Sequence, residues 1–231
     1  EYTVEAGRPD TITAEKLAVL KIHGVGRVSV NPQTMSDEVL DAIGRRHTAQ
    51  DVLDALAIVR AAGGFSVNMD LIAGLPKDTE EGFSATLDTV LALAPENITV
   101  HTLALKNGSR LSEHPETLPD AAAVGHMVDA AAQRLAAAGY VPYYLYRQKY
   151  MSGGFENVGW RKGAHMSLYN ILMMEELCPI LAMGAGASTK LSGPDGAVYR
   201  RMNPKYPKEY IEQRAISKKE ERGKDDRILS P

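Results

Sequence analysis

The first hundred residues alternate short β-branched runs with stretches of helical periodicity, and no other feature restricts the fold as much. Strands are expected over residues 2–6, 27–31, 66–72 and 98–103. After the first, Thr13 is suited to cap a helix that carries Glu15 in its first turn and Leu17 and Leu20 on the way to His23. Ser36 or Asp37 opens a short helix with Val39, Leu40 and Ile43 on one side. A longer helix covers about 50–62, with Leu53, Leu56 and Val59 facing together until Gly63-Gly64 ends it. Gly74-Leu75-Pro76 breaks the third strand, and Thr79 or Glu80 starts a helix that presents Phe83, Leu87, Val90 and Leu91. Strands spaced by helical connections of this length imply a parallel sheet with right-handed crossovers.

Several classes are set aside by composition. A net charge of −3 argues against a general nucleic-acid binder. No apolar run approaches the roughly 18 residues of a membrane span. The opening Glu1-Tyr2-Thr3-Val4-Glu5 lacks the basic and apolar regions of a signal peptide, so a cytoplasmic setting is expected. The chain starts without Met, directly on a strand-like alternation, as a piece cut from a larger protein would. Its single cysteine, Cys178, rules out an internal disulfide and any multi-cysteine metal site in this chain. In the apolar stretch Leu177-Cys178-Pro179-Ile180 it reads as a buried structural thiol.

Polar residues recur at or just past the ends of the expected strands: Glu5, Gln33, Asp70 and His101. In parallel α/β architectures ligands bind at the carboxyl ends of strands, so this placement marks a candidate site. With Arg45 the set offers carboxylates for an ammonium or ribose, a guanidinium for a carboxylate, and an amide that donates and accepts. A small zwitterionic or nucleoside ligand suits it. Taken singly, each residue could equally cap a helix or satisfy a loop.

As a group they resemble a known family. Ser29-Val30-Asn31-Pro32-Gln33-Thr34, Gly44-Arg45-Arg46-His47 and Asn68-Met69-Asp70-Leu71-Ile72-Ala73-Gly74-Leu75-Pro76 look like the radical S-adenosylmethionine (SAM) barrel of oxygen-independent coproporphyrinogen III oxidases (coproporphyrinogen dehydrogenases) of the HemN/HemZ type. Thr99-Val100-His101-Thr102-Leu103-Ala104 continues the match. Tyr143-Tyr144-Leu145-Tyr146-Arg147-Gln148-Lys149-Tyr150-Met151 and Glu156-Asn157-Val158-Gly159 resemble the HemZ-like branch. The resemblance implies an α/β fold in which residues 1–105 form a partial (β/α) radical-SAM barrel, about four of six parallel strands, and 106–231 a smaller C-terminal α+β region. It implies that Glu5 contacts the SAM that sits on the cluster, and that Gln33, Arg45 and Asp70 contact a second SAM with Ala104 beside it. It also implies oxidative decarboxylation of coproporphyrinogen III to protoporphyrinogen IX, in a parent protein served by an electron donor and acceptor of unknown identity.

The chain departs from that pattern in one respect. The family holds a 4Fe–4S cluster with three cysteines after the first barrel strand, and Cys178 stands alone in another region. Glu5 falls in what would be the third barrel strand, so the chain is expected to begin about two βα units into the barrel and to be inactive alone. A haem chaperone related to this family, or a folded fragment that self-associates through an open barrel edge, are the alternative readings.

The tyrosine-rich segment is the candidate substrate wall. Alternation puts Tyr144, Tyr146, Gln148 and Tyr150 on one face and Tyr143, Leu145, Arg147 and Lys149 on the other. A flat tetrapyrrole would stack on the aromatic face, with Arg147, Lys149, Arg161 or Lys162 meeting its carboxylates. A purely structural hairpin accounts for the same residues.

Overall fold

Strand β3 shows how the sheet is built. In the computed structural model, which describes residues 1–105, 115–147, 154–193 and 196–213, β3 runs Ser66–Ala73. Val67, Met69, Leu71 and Ala73 are buried, while Ser66, Asn68, Asp70 and Ile72 are half-buried. A parallel strand covered on both faces is apolar throughout. This one keeps an apolar face and a polar face.

Its neighbours repeat the division. Strands β1 (Thr3–Gly7), β2 (Arg27–Val30), β3 and β4 (Asn97–Thr102) pair in parallel in that order, as the strand–helix alternation requires. Val28 lies beside Val67, and Met69 beside Ile98, on the apolar side; Ser29 lies beside Asn68, and Asp70 beside Thr99, on the polar side. Helices α1 (Ala14–Ile22), α2 (Asp37–Ala42), α3 (Ala49–Ala62), α4 (Glu80–Leu93) and α5 (Ala121–Ala137) connect and cover these strands. Leu17, Val52, Leu56, Phe83, Leu87, Met127 and Leu135 from the helices join the apolar strand residues in one buried cluster. Each large side chain so buried contributes about 1.5–3 kcal/mol.

Helix starts follow local hydrogen-bonding chemistry. The hydroxyls of Thr13, Ser36 and Thr79 accept from the backbone N–H three residues on, which satisfies a donor the helix leaves unpaired. Thr48 and Asp51 form a reciprocal capping box at the head of α3. α2 ends where Gly44, at φ 73°, lets Gly44 N–H reach the Asp41 carbonyl and Arg45 N–H the Leu40 carbonyl. That turn sets the position of Arg45.

Beyond β4 the sheet changes character. Strands β5 (Val141–Tyr146) and β6 (Asn157–Arg161) extend it to the order β1-β2-β3-β4-β6-β5, with β6 antiparallel to both neighbours. The sequence does not announce β6, which is short and has Gly159 at its centre. Among the described residues the sheet is open, with β1 and β5 at its edges, and no closed barrel is formed. The chain divides into two compact units, Glu1–Ile171 and Leu172–Pro231. Residue 105 lies inside the first, because α5, β5 and β6 extend the same sheet and its helical cover.

The second unit carries the hairpin of β7 (Ser188–Ser192) and β8 (Val198–Met202). Cys178 lies there between exposed Leu177 and Pro179 and is itself half-buried, so the expectation of a fully buried thiol is corrected. No helix of the described residues is long and apolar enough to cross a membrane.

Candidate functional site

The polar face of the first unit is closed at one end. Arg27, 6% exposed, donates to the Asn97 side chain and, at 2.6 Å, to the Met166 carbonyl, and it pairs with Glu1 at 3.5 Å. Asn97 donates in turn to the His165 carbonyl, and His165 Nδ1 lies 2.7 Å from the Ser66 hydroxyl. These groups occupy the amino-terminal ends of the strands. The carboxyl-terminal half of the face is left for a ligand.

There the side chains form a continuous polar set. Glu5 is exposed, and its Oε2 accepts from the Ser29 hydroxyl at 2.6 Å. Ser29 neighbours Asn68, whose amide donates to Asp70 Oδ1 at 2.8 Å. Thr99 Oγ1 lies 3.3 Å from Asn68 Oδ1 and 3.2 Å from the Tyr144 hydroxyl. His101 approaches Asp70 Oδ1 at 3.6 Å through Nε2 and the Tyr146 hydroxyl at 3.2 Å through Nδ1. Burial pushes the Tyr144 phenol well above the ordinary tyrosine range, so it is neutral at every physiological pH.

Gln33 is attached to the same place by its backbone. Its N–H donates to the Asp70 carbonyl at 3.0 Å, and its own carbonyl accepts from Ile72 at 2.9 Å. It does so at φ 66°, a conformation that costs a non-glycine residue about 1–2 kcal/mol. Strain of this kind collects at functional sites, where the surrounding structure enforces it.

Glu5, Asp70, Tyr144 and Tyr146 thus share one face, with Gln33 bonded to the strand that carries Asp70. Arg45 is not among the groups bonded into this set. It is half-buried in the loop between α2 and α3 and lines a cavity of about 610 Å³ whose other walls include Arg8, Asp10, Arg46, His47 and Asp51 but neither Gln33 nor Asp70. Ala104 lies two residues past β4 and is half-buried.

The tyrosine segment follows the expected alternation only in part. Tyr144 and Tyr146 do face the same way, their rings 6.3 Å apart and 4° from parallel. Tyr143 does not take the opposite face. A register shift between Pro142 and Tyr144 turns it edge-on to the Tyr144 ring at 4.8 Å and toward Asn170 and Ser167. Arg147 is exposed and pairs with Glu156 at 3.2 Å. Lys149 lies outside the described residues.

Asn68, Thr99 and Ser29 were not singled out in the sequence, although polar residues alternating along β2, β3 and β4 were the signal for them. Among the described residues no group of three or more His, Cys, Asp or Glu is arranged to hold a metal ion. One half-buried thiolate cannot ligate three irons, so the residues present do not fit an iron–sulfur cluster. They do fit a nucleoside amino acid, whose ammonium and hydroxyls need acceptors such as Glu5 and Asp70.

Residues 2–90 match the model of the radical SAM superfamily. The chain is 44% identical over 216 residues to the oxygen-independent coproporphyrinogen-III oxidase-like protein HemZ of Bacillus subtilis, covering 92% of this chain and 43% of that protein. Residues 2–90 are therefore a radical SAM domain. Over 92% of its length the chain is similar to that HemZ-like coproporphyrinogen oxidase. The haem chaperone HemW of Haemophilus influenzae is 31% identical over 215 residues, covering 91% of this chain and 51% of that protein. Among solved structures, coproporphyrinogen III oxidase (HemN) from Escherichia coli superposes with a TM-score of 0.66 at 21% identity, over 91% of this chain and 47% of that one. The fold is therefore that of a radical SAM protein. The chain spans about half the length of the relatives it matches.

Proposed function

We propose that this chain is the part of an oxygen-independent coproporphyrinogen III dehydrogenase that holds SAM and one side of the tetrapyrrole. The observation that carries the reading is the linked set Glu5–Ser29 and Asn68–Asp70–His101–Tyr146, lying at the strand ends with Gln33 strained against it. Glu5 contacts the SAM that sits on the cluster, while Asp70 accepts from ammonium or ribose groups of a second SAM, Gln33 supplies a fixed contact beside Asp70, Arg45 takes a carboxylate, and Ala104 packs alongside. Tyr144 and Tyr146 form the aromatic wall, and Arg147 and Lys149 meet propionates. Residues 106–231 supply the region specific to coproporphyrinogen oxidases.

A 4Fe–4S cluster with SAM bound would supply, in the parent protein, a radical able to take a hydrogen atom from a propionate β-carbon, and Glu5 of this chain would contact that SAM. The net change would be loss of that hydrogen atom, CO2 and one electron, passed to an acceptor, from each of two propionates, leaving vinyl groups. This chain binds, orients and excludes water; without cluster ligands it does not start the radical on its own. A cytoplasmic setting, an electron donor and acceptor, and pairing of the open β1 edge with another strand belong to the same proposal.

Haem binding without oxidation is the second reading, favoured by the 31% identity to a haem chaperone. Anaerobic assay of the full-length protein with coproporphyrinogen III, SAM and a reductant separates the two. Formation of protoporphyrinogen IX supports the dehydrogenase; stable haem binding with no vinyl product overturns it.

A further inference from the structure

The two carboxylate oxygens of Asp70 keep different company. Oδ1 takes the Asn68 amide at 2.8 Å and lies 3.6 Å from His101 Nε2. Among the described residues no side chain donates to Oδ2. His101 stands between two strands, for its other ring nitrogen is 3.2 Å from the Tyr146 hydroxyl on β5. The two rings meet edge to face, with centroids 6.2 Å apart and planes at 70°.

An imidazole placed between a carboxylate and a phenol has one neutral tautomer that suits both. Nε2 carries the hydrogen and points it at Asp70, while the bare Nδ1 accepts from the Tyr146 O–H. The other tautomer sets a lone pair against a carboxylate oxygen. At 3.6 Å the Nε2 contact is longer than a hydrogen bond, and such contacts tighten when a ligand fills the site.

We propose that His101 is the positioning residue of this site: it fixes Asp70 through Oδ1, presents Oδ2 to the ligand's donor, and ties that carboxylate to Tyr146. A carboxylate free to turn loses rotational freedom when it binds. One already bonded by Asn68, with His101 beside the same oxygen, loses less, so removing that support weakens binding. The inference rests on the reading that Asp70 binds the nucleoside. It adds a direct link through the His101 ring between the nucleoside position and Tyr146, beside the one that Asn68 and Thr99 make to Tyr144.

Two measurements test it. Nitrogen-15 correlation spectra of the histidine-labelled chain at about pH 8, where an ordinary imidazole is neutral, report the tautomer without any ligand. The Nε2–H form is expected for His101, moving toward a mixture in Tyr146→Phe and in Asp70→Asn; the Nδ1–H form in the wild-type chain overturns the proposal. SAM affinity by titration calorimetry then divides the bridge. His101→Asn reaches Tyr146 but not Asp70 and is expected to weaken binding about tenfold, whereas His101→Gln, whose amide reaches Asp70, stays within about threefold. Equal weakening in both variants also overturns it. If the wild-type chain binds no SAM, or Asp70→Asn binds it unchanged, the nucleoside reading fails, and the tautomer alone decides whether the bridge exists.

Discussion

Gln33 brackets the backbone of β3 beside Asp70: its N–H donates to the Asp70 carbonyl and its carbonyl accepts from Ile72, at φ 66°. The strain is local and glycine does not feel it. Gln33→Gly is therefore expected to raise stability by about 1 kcal/mol in urea unfolding while weakening SAM binding. A loss of stability would mean that the buried side chain supports the fold and that the backbone is not held under strain for a ligand.

Gly159 lies under the Tyr144 ring, with no room for a methyl group between them. The ring covers the gap left in the centre of β6 and is thereby aimed at Thr99. Gly159→Ala is expected to cost about 1–3 kcal/mol by overpacking, and Tyr144→Ala should recover part of that loss in the double variant. Additive effects in chemical denaturation would contradict the contact.

Asp78 is 7% exposed, and although its Oδ1 accepts from Thr79 at 2.9 Å, Oδ2 is buried without a partner. Burial pushes its carboxyl from 3.8 up to about 6. A carboxyl raised in the folded state favours folding while protonated, and that contribution is lost as pH rises from about 4 through about 6. Asp78→Asn, which never ionises, should remove this slope and be more stable than the wild type at pH 7 by up to about 3 kcal/mol. Unfolding curves on either side of that window check it, and a variant less stable at neutral pH would show that the charge is needed.

Arg147 pairs with Glu156 at the surface, both side chains well exposed. Such pairs contribute little, so Arg147→Ala should change stability by less than about 0.5 kcal/mol. Its proposed role at a propionate predicts weaker tetrapyrrole binding in the full-length protein, read by fluorescence quenching. Unchanged binding would remove Arg147 from the substrate site.

Much of the fold was legible because the first four strands obey short-range rules. Thr13 and Thr79 announce helix starts, and each strand lies between a helix and a turn, so its bounds fall within a residue or so of those expected. β6 was not legible, since its place depends on Tyr144 covering Gly159, a contact between residues far apart in sequence. The Pro142–Tyr144 register shift is equally non-local, and it turned Tyr143 against the alternation. At the site, the strand-end rule found Glu5, Asp70 and His101, which a sheet brings together by register. Arg45 is placed by a helix-ending turn, and nothing in the spacing reveals that it lines a cavity with Arg8 and His47.

The most direct test is equilibrium binding of SAM to this chain without any cluster, comparing the wild type with Asp70→Asn. A carboxylate that holds a charged ligand group contributes about 1.5–3 kcal/mol, so the variant should bind at least tenfold more weakly, that is about tenfold or beyond. Equal affinity in the two proteins, or no binding by the wild type, would contradict the account.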